Sequence, residues 1–288
     1  MNTVRLLKHR KNFTTSPLRV FMFVFLVLWS LSFSTLIVWL VANSLNDKVK
    51  YLTDPVGIPV LWKWSNYVNA FTELEAIDSN LIAMLINTLW LTVGNISLQV
   101  LSGVTFSYAI ARFKFPGRDA IYWISIARMM IPVVGSLAAT YKLYGMLGIY
   151  DSPLLLLSNL SGQAGFLVYY ATFKGVSNEY AEAAFLDGAN HVQVFFKVML
   201  PQVTGVVIAL SVSSFIANWN EYMTPILFLP SYPTLASGIY IYQQRSGRRL
   251  NYPVLFAALV MTMIPCIITF TAFQKNFLSI DIGGGLKG

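Results

Sequence analysis

Residues 179–201 read EYAEAAFLDGANHVQVFFKVMLP, a helix-like run set between strongly apolar segments and too polar to cross a bilayer itself. Ala181, Ala184, Phe185 and Gly188 recur at i, i+3, i+4 and i+7, the apolar stripe of a short amphipathic helix, while Glu179, Glu182 and Asp187 fall off it. Gly188 followed by Ala189 and Asn190 suits a left-handed stop and a restart. Val192, Phe195, Phe196 and Met199 then form a second stripe that Pro201 closes. The spacing predicts helix, sharp turn, helix, and a surface built for docking.

The rest of the chain is what such a loop would protrude from. Of 288 residues, 56% are hydrophobic and only 11% charged, and the mean hydropathy is +0.61. A soluble globule of that composition would expose a large apolar surface, so the class is membrane protein. The net charge of +8 does not point to nucleic acid, because Lys and Arg flank apolar runs instead of gathering on one patch. The single cysteine, Cys266, lies in an apolar run as a small packing residue and rules out an intramolecular disulfide or a cysteine-based metal site. No Gly-x-x-x-x-Gly-Lys-Ser/Thr loop is present to cradle ATP phosphates. His9 and His191, the two histidines, lack partners at catalytic spacing, and His191 reads as a solvated loop residue. The chain offers no catalytic residue and no metal site.

In order, residues 1–19 carry Arg5, Lys8, Arg10, Lys11 and Arg19 without an acid, a cytoplasmic tail under the positive-inside rule. Residues 20–46 are uncharged for 27 residues, too long for a signal-peptide core and ample for the roughly 20 a bilayer needs. Residues 47–78 mix charges with Trp62, Trp64 and Tyr67 and read as an extracytoplasmic loop whose rings lie at headgroup level. Further spans are expected over 79–111, about 120–141, 152–173, 198 to about 229, and 250–274. Arg128, near the cytoplasmic end of its span, snorkels. With both termini inside, cytoplasmic segments hold twelve Lys and Arg against seven outside, although Arg245, Arg248 and Arg249 cluster in the last outer loop. The chain reads as one membrane-embedded, all-α unit of six transmembrane helices.

Glu182-Ala183-Ala184, three residues, Gly188, nine residues, Val198, one residue and Leu200-Pro201 resemble the EAA loop of ABC-importer membrane subunits, with valine where isoleucine is usual. Leu186-Asp187-Gly188-Ala189 and the ending Gly-Gly-Leu-Lys-Gly at 284–288 resemble the carbohydrate branch, in particular the maltose-type second permease. The likeness runs from about Asn87 to the last residue and takes in the basic turn 112–118. It implies a type I ABC importer permease fold with a cytoplasmic coupling helix, in the cytoplasmic (inner) membrane of a bacterium or archaeon. It also implies a non-catalytic subunit in the lipid bilayer working with a second permease (a heterodimer), two ATP-binding subunits that bind ATP and Mg, and an extracytoplasmic solute-binding protein. Closure of the ATPase pair would drive alternating access through residues 179–201.

Three residue sets follow. Glu182, Ala183, Ala184, Asp187 and Gly188 are the expected contact with the ATPase, the small alanines lying deep in its cleft, Glu182 meeting a basic group and Gly188 at positive φ. Asn218, Trp219, Asn220, Glu221 and Tyr222 interrupt the fifth span and resemble the Trp-Asn-Asp/Glu pattern of sugar permeases; they are the expected substrate path, amides for hydroxyls and rings for a pyranose face. Glu221 is the one carboxylate inside an expected span, either at a helix break near the outer surface or on a path wall. Gly283, Gly284 and Gly285, in the tail 278–288, are expected to reach between the ATPase subunits. A non-sugar solute such as glycerol phosphate or an oligouronate, and a secondary transporter, are the competing readings.

Overall fold

The computed structural model describes residues 17–57, 59–131, 135–161, 165–247 and 250–278. Residues 1–16 of the N-terminal tail, Gly283–Gly285 and the rest of the last ten residues lie outside that set. The first span is α1, Pro17–Ser44, starting three residues before and ending two before the expected limits. The segment expected as an outer loop is folded, because polar residues there satisfy the backbone locally. Asp47 caps α2 (Lys48–Thr53) by accepting the N–H of Val49 at 2.8 Å, and α3 (Ser65–Glu73) follows. Glu75–Ala76 (β1) and Ser79–Asn80 (β2) then pair antiparallel about Ile77 and Asp78, both at positive φ. This small ladder is the one departure from an all-α chain among the described residues.

Asn80 caps α4, Leu81–Arg112, through the N–H of Ala83, and the span expected over 79–111 is one unbroken helix. At about 1.5 Å per residue its 32 residues outrun a hydrocarbon core of about 30 Å. The third and fourth spans, by contrast, are not single helices. α5 (Arg118–Met130) stops where Ile131 turns extended, and α6 (Leu137–Met146) restarts beyond Gly135 at φ +82°. Ile131 precedes Pro132 in sequence, and a residue before proline is pushed out of the helical region. The fourth path is a 3₁₀ segment, Pro153–Ser161, and α7, Phe166–Gly175, separated by Gly165 at φ +72°. It runs parallel to α4: Gln99 meets Asn159, Ser107 Oγ donates to Phe166 O, and Arg112 meets Phe173 O. Among the described residues, four helices are long and apolar enough to cross a membrane, so two of the six expected crossings are made of shorter pieces.

α8 (Glu179–Leu186) and α9 (His191–Val194) meet at Gly188, φ +82°, the helix, turn, helix that the spacing predicted. Pro201, however, does not close the second stripe. α9, a π turn over Phe195–Met199 and α10 (Leu200–Trp219) form one rod, which begins at His191 instead of the expected 198. Proline lacks the N–H that Lys197 C=O would accept in a regular helix, and the wider turn absorbs the gap, with Leu200 N–H reaching back to Phe195 O. After a break at Asn220–Tyr222 come α11 (Met223–Phe228), α12 (Leu235–Ser246), which the sequence reading left as loop, and α13 (Tyr252–Leu278).

The bundle packs at two levels. Leu74, Met84, Trp219, Leu235 and Val254 are buried at the end bearing α2 and α3, here the collar end. Tyr108, Phe173, Phe195, Met199 and Val203 are buried at the end bearing α8, the loop end. In lipid such contacts stabilise by close packing, since acyl chains are as apolar as leucine. α1 stands apart from this bundle, its apolar side chains exposed up to Val38, and joins α13 where Trp39 meets Phe256 edge-on at 5.4 Å.

Candidate functional site

Four amides cross the middle of the bundle. Gln99 Nε2 donates to Asn159 Oδ1 at 3.0 Å, Asn159 Nδ2 to Asn95 Oδ1 at 2.7 Å, and Asn95 Nδ2 to Asn218 Oδ1 at 2.8 Å. Asn218 Nδ2 ends the chain on Ser214 O at 2.8 Å. The amides come from α4, the 3₁₀ segment and α10, so one oriented chain of hydrogen bonds ties three elements together. Amides among Leu and Val are costly unless partnered; here Asn95 and Asn218 each give and take one bond, Asn159 also donates to Leu156 O at 3.2 Å, and Gln99 heads the chain as a donor.

The three asparagines line a cleft of about 310 Å³, whose polar wall is Asn95, Ser158, Asn159, Asn218, Glu221 and Thr224 and whose apolar wall includes Leu91, Tyr144, Leu155 and Phe228. Glu221 sits in the break after α10, where its Oε1 accepts the N–H groups of Met223 at 2.7 Å and Thr224 at 2.9 Å. That fixes the carboxylate on the cleft wall. At the rim, Asp151, held at φ +49°, donates its N–H to Phe228 O at 2.8 Å and accepts Ser231 N–H and Oγ–H at 2.9 and 2.6 Å. The connection after α6 is thereby latched to the one after α11.

Of the five residues expected on a path, Asn218 and Glu221 line this cleft. The other three point elsewhere: Trp219 is the last residue of α10, and Asn220 and Tyr222 lie in the break that follows it. Trp219 is 2% exposed, stacks on Phe215 at 5.3 Å and donates to Thr262 O at 3.0 Å, so it packs against α13. Asn220 donates to Ile216 O and approaches Cys266 Sγ at 3.9 Å; Tyr222 lies on Tyr240 at 5.0 Å. Asn95 and Asn159 escaped the sequence reading. The signal was there: each is an amide inside an uncharged run.

At the loop end, α8 shows two unlike faces. Ala181 and Ala184, with Ala189 beyond the turn, pack inward on the core of Tyr108 and Phe195, whereas Glu182, Ala183, Asp187 and Gly188 are exposed. Ala184 is thus a contact with the chain's own bundle, and the outward face, Glu179, Glu182, Ala183 and Leu186, carries a leucine 89% exposed. His191 is exposed but not a loop residue: it opens α9, with Phe185 at 4.9 Å and Phe113 at 5.6 Å from its ring. Phe113 in turn meets Tyr108 at 5.7 Å, and Tyr108 meets Phe195 at 4.7 Å. A continuous aromatic path thus runs from the turn into α4 and the π turn. Arg112, the last residue of α4, donates to Phe173 O, Val176 O and Asn178 Oδ1, holding the strap that leads into α8.

A bundle of broken and unbroken apolar helices, a polar cleft at mid-height and a rigidly mounted exposed loop define a transport subunit of the membrane. The profile of the family described as binding-protein-dependent transport system inner membrane component matches residues 103–279, well over half of the chain, and the chain belongs to that family. It is therefore a multi-pass, non-catalytic permease subunit of an ABC importer. It is 28% identical over 256 residues to the diacetylchitobiose uptake system permease protein NgcG of Streptomyces coelicolor, covering 87% of this chain and 83% of the relative. To the sn-glycerol-3-phosphate transport system permease protein UgpE of Yersinia pestis it is 29% identical over 246 residues, 83% of this chain and 86% of the relative. The fold resembles a chain in the crystal structure of a bacterial ABC transporter that imports the acidic polysaccharide alginate, with TM-score 0.75, 21% identity, and coverage of 90% of this chain and 97% of that one.

Proposed function

We propose that this subunit forms half of the passage for a sugar or oligosaccharide, which crosses along the cleft walled by Asn95, Asn159, Asn218 and Glu221. The observation that carries the reading is the amide chain itself: a polar wall in an apolar bundle, able to give and accept hydrogen bonds as sugar hydroxyls require. A second, related permease would supply the facing wall. Two ATP-binding subunits would hold ATP and Mg and hydrolyse the nucleotide, and a solute-binding protein would deliver the cargo at the collar end. The names of relatives support a carbohydrate and also allow a phosphate-bearing or uronic solute.

In this reading the loop end is cytoplasmic, both termini lie on that side, and α8 docks on an ATPase subunit through Glu179, Glu182, Ala183 and Leu186. Movement there reaches the bundle through Arg112 and the aromatic path. The glycines of the tail, Gly283–Gly285, would add a contact between the ATPase subunits.

The test is uptake into vesicles holding the complete importer with Asn159→Leu or Asn218→Leu. Either variant is expected to lower uptake at least tenfold with the complex still assembled. Full uptake in both, in assembled complexes, overturns the assignment of this cleft.

A further inference from the structure

We propose that this subunit's wall of the passage disfavours anions relative to neutral and cationic solutes, and that Glu221 sets this preference. The inference rests on reading the cleft as the solute path. Glu221 is the one charged side chain lining the cleft among the described residues; no Lys, Arg or His lines it. Its position is fixed, since Oε1 accepts two backbone N–H groups at the start of α11. A second carboxylate, Asp151, stands at the rim, bound to Phe228 O through its own N–H. The remaining polar groups are amides and hydroxyls, which serve neutral hydroxyl-bearing solutes equally well as donors or acceptors.

A passage for a phosphorylated or uronic solute would instead need fixed donors of positive charge, guanidinium groups above all, to replace the hydration its anion gives up. This wall has none. At a separation of about 8 Å and an effective dielectric of about 20, the carboxylate disfavours a monovalent anion roughly thirtyfold. Water in the cleft and salt lower that figure, so about tenfold is the working expectation.

The probe of choice is charge-selective thiol modification, which needs no knowledge of the cargo. In the complete, detergent-solubilised importer, Cys266→Ala removes the native thiol and Ala217→Cys places one on the cleft wall. Neutral, cationic and anionic methanethiosulfonates of similar size are then compared, with 2-mercaptoethanol giving the intrinsic cationic-to-anionic rate ratio. The same carboxylate favours the cation about as much as it disfavours the anion, so the ratio at Ala217→Cys is expected to exceed the free-thiol ratio by about a hundredfold and to fall at least tenfold when Glu221→Gln is added, a change that keeps an acceptor for the Met223 N–H. A ratio equal to that of the free thiol overturns the proposal with the Ala217→Cys protein alone, whether or not the double variant folds. So does a raised ratio that Glu221→Gln leaves unmoved. If even the neutral reagent fails on a thiol that titrates after denaturation, the cleft is not open to water, and the path assignment falls together with the inference.

Discussion

Arg112 and Asn178 are 66 positions apart and share a hydrogen bond, guanidinium to Oδ1, that joins the last residue of α4 to the residue preceding α8. Asn178 occupies a helix N-cap position yet does not cap, because its side chain is spent on the arginine. Residues that end one helix and begin another are thus held by a single charged group. A hydrogen bond to a charged partner contributes about 1.5–3 kcal/mol. Asn178→Ala is expected to loosen α8 by about that much, read as faster amide exchange over 179–188, and to lower uptake severalfold. Unchanged exchange would show that the arginine does not hold the strap.

Gly188 tests whether the turn acts through backbone or through contact. A Cβ there would meet nothing within 4 Å, while φ is +82°. Gly188→Ala is therefore expected to cost about 1–2 kcal/mol of loop order from backbone alone, Gly188→Val more and Gly188→Asn less, since asparagine tolerates the left-handed region. ATPase-subunit binding to the purified permease should follow that order. If Asn is as damaging as Val, bulk against the partner decides, not conformation.

Leu186, 89% exposed on the outward face of α8, should be the anchor of that face. Burying a leucine contributes about 1.5–3 kcal/mol, so Leu186→Ala is expected to weaken ATPase-subunit binding by tenfold or more with the thermal stability of the isolated permease unchanged. Titration of the ATPase subunit into permease held in nanodiscs reads this. Wild-type affinity would place the docking face elsewhere.

Asp47 caps α2 and is paired with Lys63. The hydrogen bond from Lys63, followed by that from the Val49 N–H, holds its carboxyl below the usual value of 3.8. A carboxyl whose pKa is lower folded than unfolded adds stability above the unfolded value, and that stability is lost as pH falls through the folded one. The collar should thus be unaffected between pH 7 and pH 5 and should loosen below about pH 4. In Asp47→Asn, proteolysis of the 47–64 segment should already be faster at pH 7 and should respond less to acid, the remainder belonging to Asp54, whose carboxyl the Lys50 hydrogen bond also holds low. A wild-type response between pH 5 and 7 would assign the titration to another group.

Trp62 and Trp64, 59% and 65% exposed, flank Lys63, whose N–H donates to Leu45 O just beyond the end of α1. Amphipathic rings in that place settle at the lipid headgroups. Fluorescence lost on replacing both by Phe is expected to be the part quenched by lipids spin-labelled near the headgroup and spared by labels deep in the chain. Quenching of that part by aqueous iodide alone would put these rings in water.

How far the sequence carried this protein depended on which interactions are local. The helix and turn of 179–190 and the start of the second helix are written in an amphipathic stripe and a glycine, both acting over a few residues, and they stand as read; the stop at Pro201 does not. The membrane class and the two outermost helices follow from uncharged runs longer than a bilayer needs. What periodicity could not show is direction around an axis and pairing between distant segments. Trp219, Asn220 and Glu221 are consecutive, yet one is buried against α13, one faces Cys266 and one walls the cleft, since α10 ends at Trp219 and the chain changes direction in the break that follows. Asn95, Asn159 and Asn218 read as isolated polar interruptions and become a site only where the fold brings them within hydrogen-bond reach. Likewise Pro201 carries a local signal to stop, but a π turn and the core around Met199 and Val203 let the rod run on. Local chemistry determined the elements and the loop; the facing of side chains, the amide chain and the continuity of α9 into α10 were decided by packing across the bundle, where the free energy of satisfying buried polar groups outweighs single-residue preference.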